Sequence, residues 1–95
     1  LTVEVEQILA EGFQDVFKSL EPAERQLFKT KGEETALKIR QLLKKTKVKM
    51  KEIFKLILVW LKMLPGLNRF FLVQEAKIKA DKILALKKIE DAKFS

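Results

Sequence analysis

The stretch that decides the fold covers residues 53–73 and reads IFKLILVWLKMLPGLNRFFLV. It is too apolar for an ordinary exposed helix, yet it contains three cations, Lys55, Lys62 and Arg69. Its longest uncharged runs have six residues each, whereas a helix that spans a membrane needs about 20. The stretch therefore predicts an apolar segment that is buried or surface-bound rather than a membrane span.

Pro65 and Gly66 divide this stretch and predict a helical hairpin. The residue before a proline is disfavoured in helical geometry, and glycine tolerates the turn that follows. Asn68 can then cap a last helix over about residues 69–93. On the other side of the turn, residues 33–64 contain neither proline nor glycine. We therefore expect one long third helix there, with a bend near the lysine-rich sequence KKTKVKMK.

The N-terminal third of the chain predicts two further helices. Apolar residues recur at helical spacing over residues 3–20 and predict an amphipathic first helix. Pro22 suits the first turn of a second, short helix. That helix is expected to break around Gly32, because glycine is a poor helix former; the alternative is that the glycine is tolerated within a helix, at a cost of only about 1 kcal/mol.

Together these helices predict a single all-α domain over residues 1–95, a bundle of three to four helices. The acidic N-terminal helices are expected over residues 1–31. A long, basic, antiparallel hairpin that turns at Pro65-Gly66 is expected over residues 33–95.

The last helix has two apolar seams, which predicts contact with two neighbours. One seam contains Leu72, Ala76, Ala80 and Ile83, and the other contains Leu67, Phe71, Ile78, Ala85 and Ile89. Between them lie charges with partners at i, i+4, such as Glu75 with Lys79 and Lys77 with Asp81. Either this helix is central in the bundle, or one seam faces another chain.

Composition argues against an enzyme. The chain has no cysteine, histidine or tyrosine, so the usual general base, the commonest metal ligands and any disulfide are missing. We expect no catalytic residue, metal or cofactor. The net charge of +7 is unevenly placed: residues 1–34 hold eight acids and four bases, and residues 35–95 hold five acids and sixteen bases.

Cations border the apolar face of the expected third helix on both sides. One stripe is formed by Arg40, Lys44, Lys47, Lys51, Lys55 and Lys62, and the other edge carries Lys38, Lys45 and Lys49. The simplest interpretation is a solvated face on which lysine stems cover apolar surface. A cationic amphipathic helix also fits an anionic lipid surface, and a row of lysines fits nucleic-acid phosphates.

The end of the hairpin carries surplus apolar side chains, namely Trp60, Leu64, Leu67, Phe70 and Phe71. This apolar tip is expected either to enter a bilayer surface or to be covered by the first two helices or another subunit. Nucleic acid is the weaker alternative, because the aromatic residues lie on the apolar face and not among the lysines, where bases could stack.

The function expected from these features is a non-enzymatic binding or scaffold module. Its partner would be an anionic membrane surface or a helical protein, and pairing with a second copy is a further alternative. The expected location is cytoplasmic, with a peripheral position at the membrane as an alternative. The first residues are acidic where a secretion signal would be basic.

Residues 60–84, WLKMLPGLNRFFLVQEAKIKADKIL, resemble small lysine-rich helical proteins of candidate-phylum bacteria whose function is not known. The preceding segment KGEETALKIRQLLKKTKVKMKEIF is similar to the segment found before it in those proteins, so the resemblance covers residues 31–88. It implies a bacterial, cytoplasm-facing protein whose C-terminal hairpin is the distinguishing part. It implies no activity and no site residue.

Overall fold

A computed structural model describes residues 2–45 and 47–94, with the side chains of residues 3–45 and 47–89. The described chain forms five helices and no strand, which confirms the all-α prediction. The helices are α1 (Thr2–Ala10), α2 (Gln14–Ser19), α3 (Pro22–Leu43), α4 (Met50–Leu61) and α5 (Arg69–Phe94). Five helices form where three to four were predicted, because the expected first and third helices are each divided and the expected second helix continues through Gly32.

An unpredicted break is at Gly12, so the single helix expected over residues 3–20 is wrong. Gly12 has a φ of +80°, a left-handed conformation that residues with a Cβ rarely adopt. The turn brings the next residue, Phe13, into the core. The turn thus separates α1, which buries Val5 and Leu9, from α2, which contains no fully buried residue.

Arg25 holds the end of α2 against the start of α3. Its guanidinium donates hydrogen bonds to the carbonyl oxygens of Phe17, Lys18 and Leu20, at distances of 3.0 to 3.2 Å. The Phe17 carbonyl also accepts a backbone hydrogen bond of 3.2 Å from the N–H of Leu20, and the arginine adds donors for the carbonyls at this C-terminal end. Pro22 occupies the first turn of α3, as predicted.

The second helix does not break at Gly32 as expected, and the alternative of a glycine tolerated within the helix is the one found. Helix α3 continues through Gly32 to Leu43, and Gly32 is buried inside it. A Cβ at this position would lie 2.8 Å from Cζ2 of Trp60. The glycine therefore allows the indole ring to approach the helix backbone rather than ending the helix.

The chain is interrupted between α3 and α4, in the region where only a bend was predicted, so the continuous helix expected over residues 33–64 is also wrong. Helix α3 ends at Leu43 and α4 begins at Met50. The sequence predicts a bend in this region, where lysines crowd together and Thr46, which lies outside the described residues, and Val48 are β-branched. The break lets α4 pack against α3, so that Ile39 and Ile53 are both buried.

The turn at Pro65-Gly66 is confirmed, and α4 and α5 pack against each other in an antiparallel-like manner. Gly66 has a φ of +74°. The side-chain oxygen of Asn68 accepts a hydrogen bond of 2.7 Å from the backbone N–H of Phe70, which confirms the predicted cap of the last helix. The hairpin consists of α4 and α5 alone and is thus shorter than predicted.

The core is one cluster of buried side chains from α1, α3, α4 and α5 and from the connections between helices. Helix α5 contributes only one of its two seams, consisting of Leu72, Ala76, Ala80 and Ile83. The two alanines in this seam allow α5 to approach its neighbours closely. The other predicted seam is largely exposed at Ile78, Ala85 and Ile89, although Leu67 is half-buried and Phe71 contacts Phe13, so α5 is not enclosed on all sides.

Candidate functional site

The five residues of the predicted apolar tip fall into two groups. Trp60 and Leu64 are buried, and Leu67 is half-buried. Phe70 is 82% exposed and Phe71 is 40% exposed. A partner that meets the tip in this conformation therefore contacts the two phenylalanines and not the tryptophan.

The N-terminal half of the chain covers part of the tip, as one of the predicted alternatives proposed. The ring of Trp60 stacks on Phe28 of α3, with centroids 4.5 Å apart, and its Nε1 donates a 2.9 Å hydrogen bond to the Phe28 carbonyl oxygen. The ring of Phe13 lies 6.0 Å from that of Phe71. No comparable ring contact covers Phe70 among the described residues.

Two more apolar side chains remain exposed near the turn. Val59, near the end of α4, is 68% exposed, and Met63, two positions beyond the end of α4, is 39% exposed. Val59 and Met63 precede Pro65 in the chain, and Phe70 follows it. We call Val59, Met63 and Phe70 the hairpin end.

Charges close to the hairpin end in the sequence are all positive. Residues 53–74 contain no acid and three cations, Lys55, Lys62 and Arg69. All three cations are exposed. Apolar side chains beside exposed cations suit the boundary between lipid headgroups and acyl chains, where the amphipathic helices of peripheral proteins bind.

The six cations of the predicted stripe do not follow one helix, because α3 and α4 are separate. Arg40 is half-buried in the last turn of α3, and Lys44 caps that helix. Lys47 lies in the connection between α3 and α4. Lys51 and Lys55 are on α4, and Lys62 caps its other end.

Only part of the stripe therefore keeps the predicted geometry. Lys51, Lys55 and Lys62 follow at spacings of four and seven residues, so they share one side of α4 within about 40°. This side is opposite the buried residues Ile53 and Ile57. The three lysines extend over about 16 Å of helix, toward the turn.

The break between α3 and α4 also forms a groove that the sequence did not predict. The groove has a volume of about 630 Å³ and is lined by Thr35, Lys38, Gln41, Leu42, Lys45, Glu52, Lys55, Leu56 and Val59. Lys38 and Lys45 come from the edge opposite Lys55 in the predicted long helix. Because α4 packs back against α3, the lysines of both edges line the same groove. In the sequence, only the crowded lysines before α4 indicated a change of direction there.

The burial of Lys79 is another feature that the sequence did not predict. The sequence predicts a surface lysine paired with Glu75, but Lys79 is 2% exposed. Its Nζ donates hydrogen bonds of 3.0 Å and 2.6 Å to the carbonyl oxygens of Ile8 and Glu11, and it lies 4.9 Å from the ring centroid of Phe13. Lys79 therefore closes the C-terminal end of α1, where a cation is favoured.

The charges around Lys79 have opposing effects on its pKa. Burial lowers the pKa of Lys79 below 10.5, while the nearby carboxylates of Glu75 and Glu11 oppose that change. Lys82 donates a hydrogen bond of 2.5 Å to Glu11, and this bond and its charge lower the pKa of Glu11 below 4.5. Lys79 is enclosed, and both its hydrogen-bond acceptors are backbone oxygens. We therefore assign Lys79 a structural role, which is to connect α5 to the end of α1.

The described residues contain no group of three or more acidic, histidine or cysteine side chains that could hold a metal ion. No helix in the described part of the chain has the length and apolar character needed to cross a membrane. No protein-family model, curated protein or solved structure matches the chain. The resemblance over residues 31–88 stays a prediction.

Proposed function

We propose that this protein is a non-enzymatic helical module that binds reversibly to anionic membrane surfaces through the hairpin end and the adjoining side of α4. The observation that carries the proposal is the position of Phe70. A phenylalanine that is 82% exposed beside the turn, next to an exposed arginine, gains free energy when it is transferred from water to a lipid interface.

The energies of the contacts support a reversible interaction. Transfer of Phe70 out of water contributes about 2 kcal/mol, with smaller contributions from Met63 and Val59, which are already partly covered by the fold. Each lysine or arginine near an anionic leaflet adds about 1 kcal/mol at moderate salt. Neither contribution alone anchors a protein, so binding requires both the apolar side chains and the cations.

The geometry also favours one orientation. Lys51, Lys55 and Lys62 face the same direction, away from the core, and the row ends beside Met63. With α4 lying along the bilayer, the three ammonium groups meet headgroup phosphates while Phe70 enters the interface at the end of the row. Arg40 and Lys44 belong to α3 and are not required for this contact.

Flotation with liposomes tests the proposal. Wild-type protein should float with anionic vesicles and not with neutral ones, and added salt should weaken the recovery. Phe70→Ala and the double variant Lys55→Gln, Lys62→Gln should each lose most of the recovery. Equal recovery with neutral vesicles, or none with anionic ones, would overturn the proposal.

Matched controls separate the site from general effects of charge and hydrophobicity. Leu27→Ala removes an exposed apolar side chain from α3, away from the hairpin end. The double variant Lys18→Gln, Lys88→Gln removes two exposed cations elsewhere. Both controls should float like the wild type. A gel shift with nucleic acid addresses the alternative ligand: salt-sensitive binding there, without flotation, would assign the lysines to phosphate contacts along a nucleic acid instead.

A further inference from the structure

The outer side of α5 carries an apolar surface that the described part of the chain leaves largely exposed, with a ring contact only at Phe71, whose centroid lies 6.0 Å from that of Phe13. Phe71, Ile78 and Ile89 are 40%, 46% and 55% exposed, and Ala85 is exposed as well. At helical spacing these four residues lie within about 40° of one another and opposite the buried seam of the same helix. We call them the outer seam of α5.

The outer seam is symmetric about Ile78. Phe71 and Ala85 lie seven positions before and after Ile78. Leu67 and Ile89 lie eleven positions before and after it, with Leu67 half-buried just ahead of α5. A sequence with this symmetry matches a copy of itself that runs in the opposite direction.

An antiparallel second copy centred on Ile78 gives each residue of the seam an apolar partner. The two Ile78 side chains meet at the two-fold axis. Phe71 of each copy lies opposite Ala85 of the other, so a large side chain faces a small one. A parallel arrangement would instead place phenylalanine against phenylalanine and alanine against alanine.

Charges along one edge of the seam agree with the antiparallel direction. Lys77 and Asp81 are exposed and lie one position before and three positions after Ile78. In an antiparallel two-fold pair, this edge of one helix lies beside the same edge of the other helix. Lys77 of one copy therefore approaches Asp81 of the other. The two-fold axis repeats this opposite-charge contact, which stabilises one register over its neighbours.

We propose that the outer seam of α5 is a self-association surface, which pairs two copies of the chain as an antiparallel two-fold dimer centred on Ile78. The contact involves one helix from each copy, so the dimer forms in a concentration-dependent manner. It uses a surface distinct from the hairpin end and can be tested in solution without lipid.

Sedimentation equilibrium tests the existence of the dimer. The apparent mass should rise with concentration from 11.1 kDa toward twice that value. Ile78→Glu places two carboxylates together at the axis and should abolish the rise. Val59→Glu, which changes an exposed apolar residue of α4, should leave the rise unchanged, with circular dichroism showing that both variants are folded.

Disulfide cross-linking tests the direction and register, because the chain has no cysteine of its own. Ile78→Cys lies at the axis and should form a covalent dimer under mild oxidation. Ala85→Cys should remain reduced, because in the proposed dimer the two copies of residue 85 are about 21 Å apart along the helices. Cross-linking of both variants would indicate a parallel pair and overturn the proposed geometry.

Two other results would overturn the proposal as a whole. One is a mass that stays at that of a single chain up to the limit of solubility, with Ile78→Cys not cross-linking. The other is association that Ile78→Glu leaves intact, which would place the contact on a different surface.

Discussion

Gly32 and Trp60 pack so closely that the glycine has no room for a side chain. A Cβ on Gly32 would lie 2.8 Å from Cζ2 of the indole. The indole also stacks on the ring of Phe28 and donates a hydrogen bond to the Phe28 carbonyl oxygen. The contact joins α3 to α4 in the middle of the core. It explains why a residue that weakens helices is found within an unbroken one.

We therefore expect Gly32→Ala to destabilise the protein by about 1–3 kcal/mol, because the buried indole must move. Helix propensity alone predicts the opposite sign, since alanine is favoured over glycine by about 1 kcal/mol in a helix interior. Urea unfolding monitored by circular dichroism distinguishes the two outcomes. A more stable Gly32→Ala protein would contradict the tight contact.

The background variant Trp60→Leu provides the control for this prediction. With the indole removed, Gly32→Ala should cost less or become favourable, since the overlap is gone. The difference between the two backgrounds measures the coupling of the two residues. Equal effects in both backgrounds would show that Gly32 acts through its own backbone instead.

Lys79→Met should destabilise the protein by about 1–3 kcal/mol. The substitution keeps the length of the side chain but removes the donor to the carbonyl oxygens of Ile8 and Glu11 at the end of α1. Lys82→Met, three residues further along α5, removes an exposed ion pair and should cost less than about 1 kcal/mol. Chemical unfolding measures both, and equal losses would count against a special role for the buried lysine.

Acid should weaken the contact between Glu11 and Lys82. Lys82 lowers the pKa of Glu11 in the folded protein, so the stabilisation is complete above pH 4.5 and is lost as the pH falls through the lowered value. Unfolding midpoints measured across the acidic range should therefore decline more steeply for the wild type than for Lys82→Met. Added salt should reduce the difference, and parallel curves for the two proteins would argue against this coupling.

The two proposed surfaces together predict that the protein links membranes. Helix α4 packs against α5, and the buried seam of α5 lies opposite the outer seam, so in the proposed dimer we expect the two α4 helices to lie on opposite outer sides. Anionic vesicles should then cluster on addition of wild-type protein, as followed by dynamic light scattering. Ile78→Glu should bind vesicles without clustering them, whereas clustering by this variant would contradict the combined arrangement.

Local signals in the sequence were sufficient for the helix boundaries that depend on neighbouring residues alone. Pro22 at the start of α3, the turn at Pro65-Gly66 and the cap at Asn68 all have a steric or hydrogen-bonding cause within a few positions. The same local view could not distinguish Gly12, which turns the chain, from Gly32, which only makes room. That distinction depends on Trp60, nearly thirty positions away from Gly32.

The candidate site could be predicted only in outline for a similar reason. Phe70 and the lysines of α4 were identified from composition and spacing, and they are exposed as a surface site requires. Trp60 has the same apolar character as Phe70, and only the packing of α3 shows that one is buried and the other is not. Lys79 looked like any other surface lysine, because the carbonyls that bind it come from α1.

The stacking of Trp60 on Phe28 gives this protein a built-in optical probe. Trp60 is the sole tryptophan of the chain, and its indole is enclosed by Phe28 and Gly32. Its emission should thus report whether α3 and α4 stay together, and should change little when vesicles are added, since Phe70 and not the indole meets the lipid. Quenchers attached to lipid acyl chains should not reduce the Trp60 emission. A change in that emission would indicate that α3 and α4 separate.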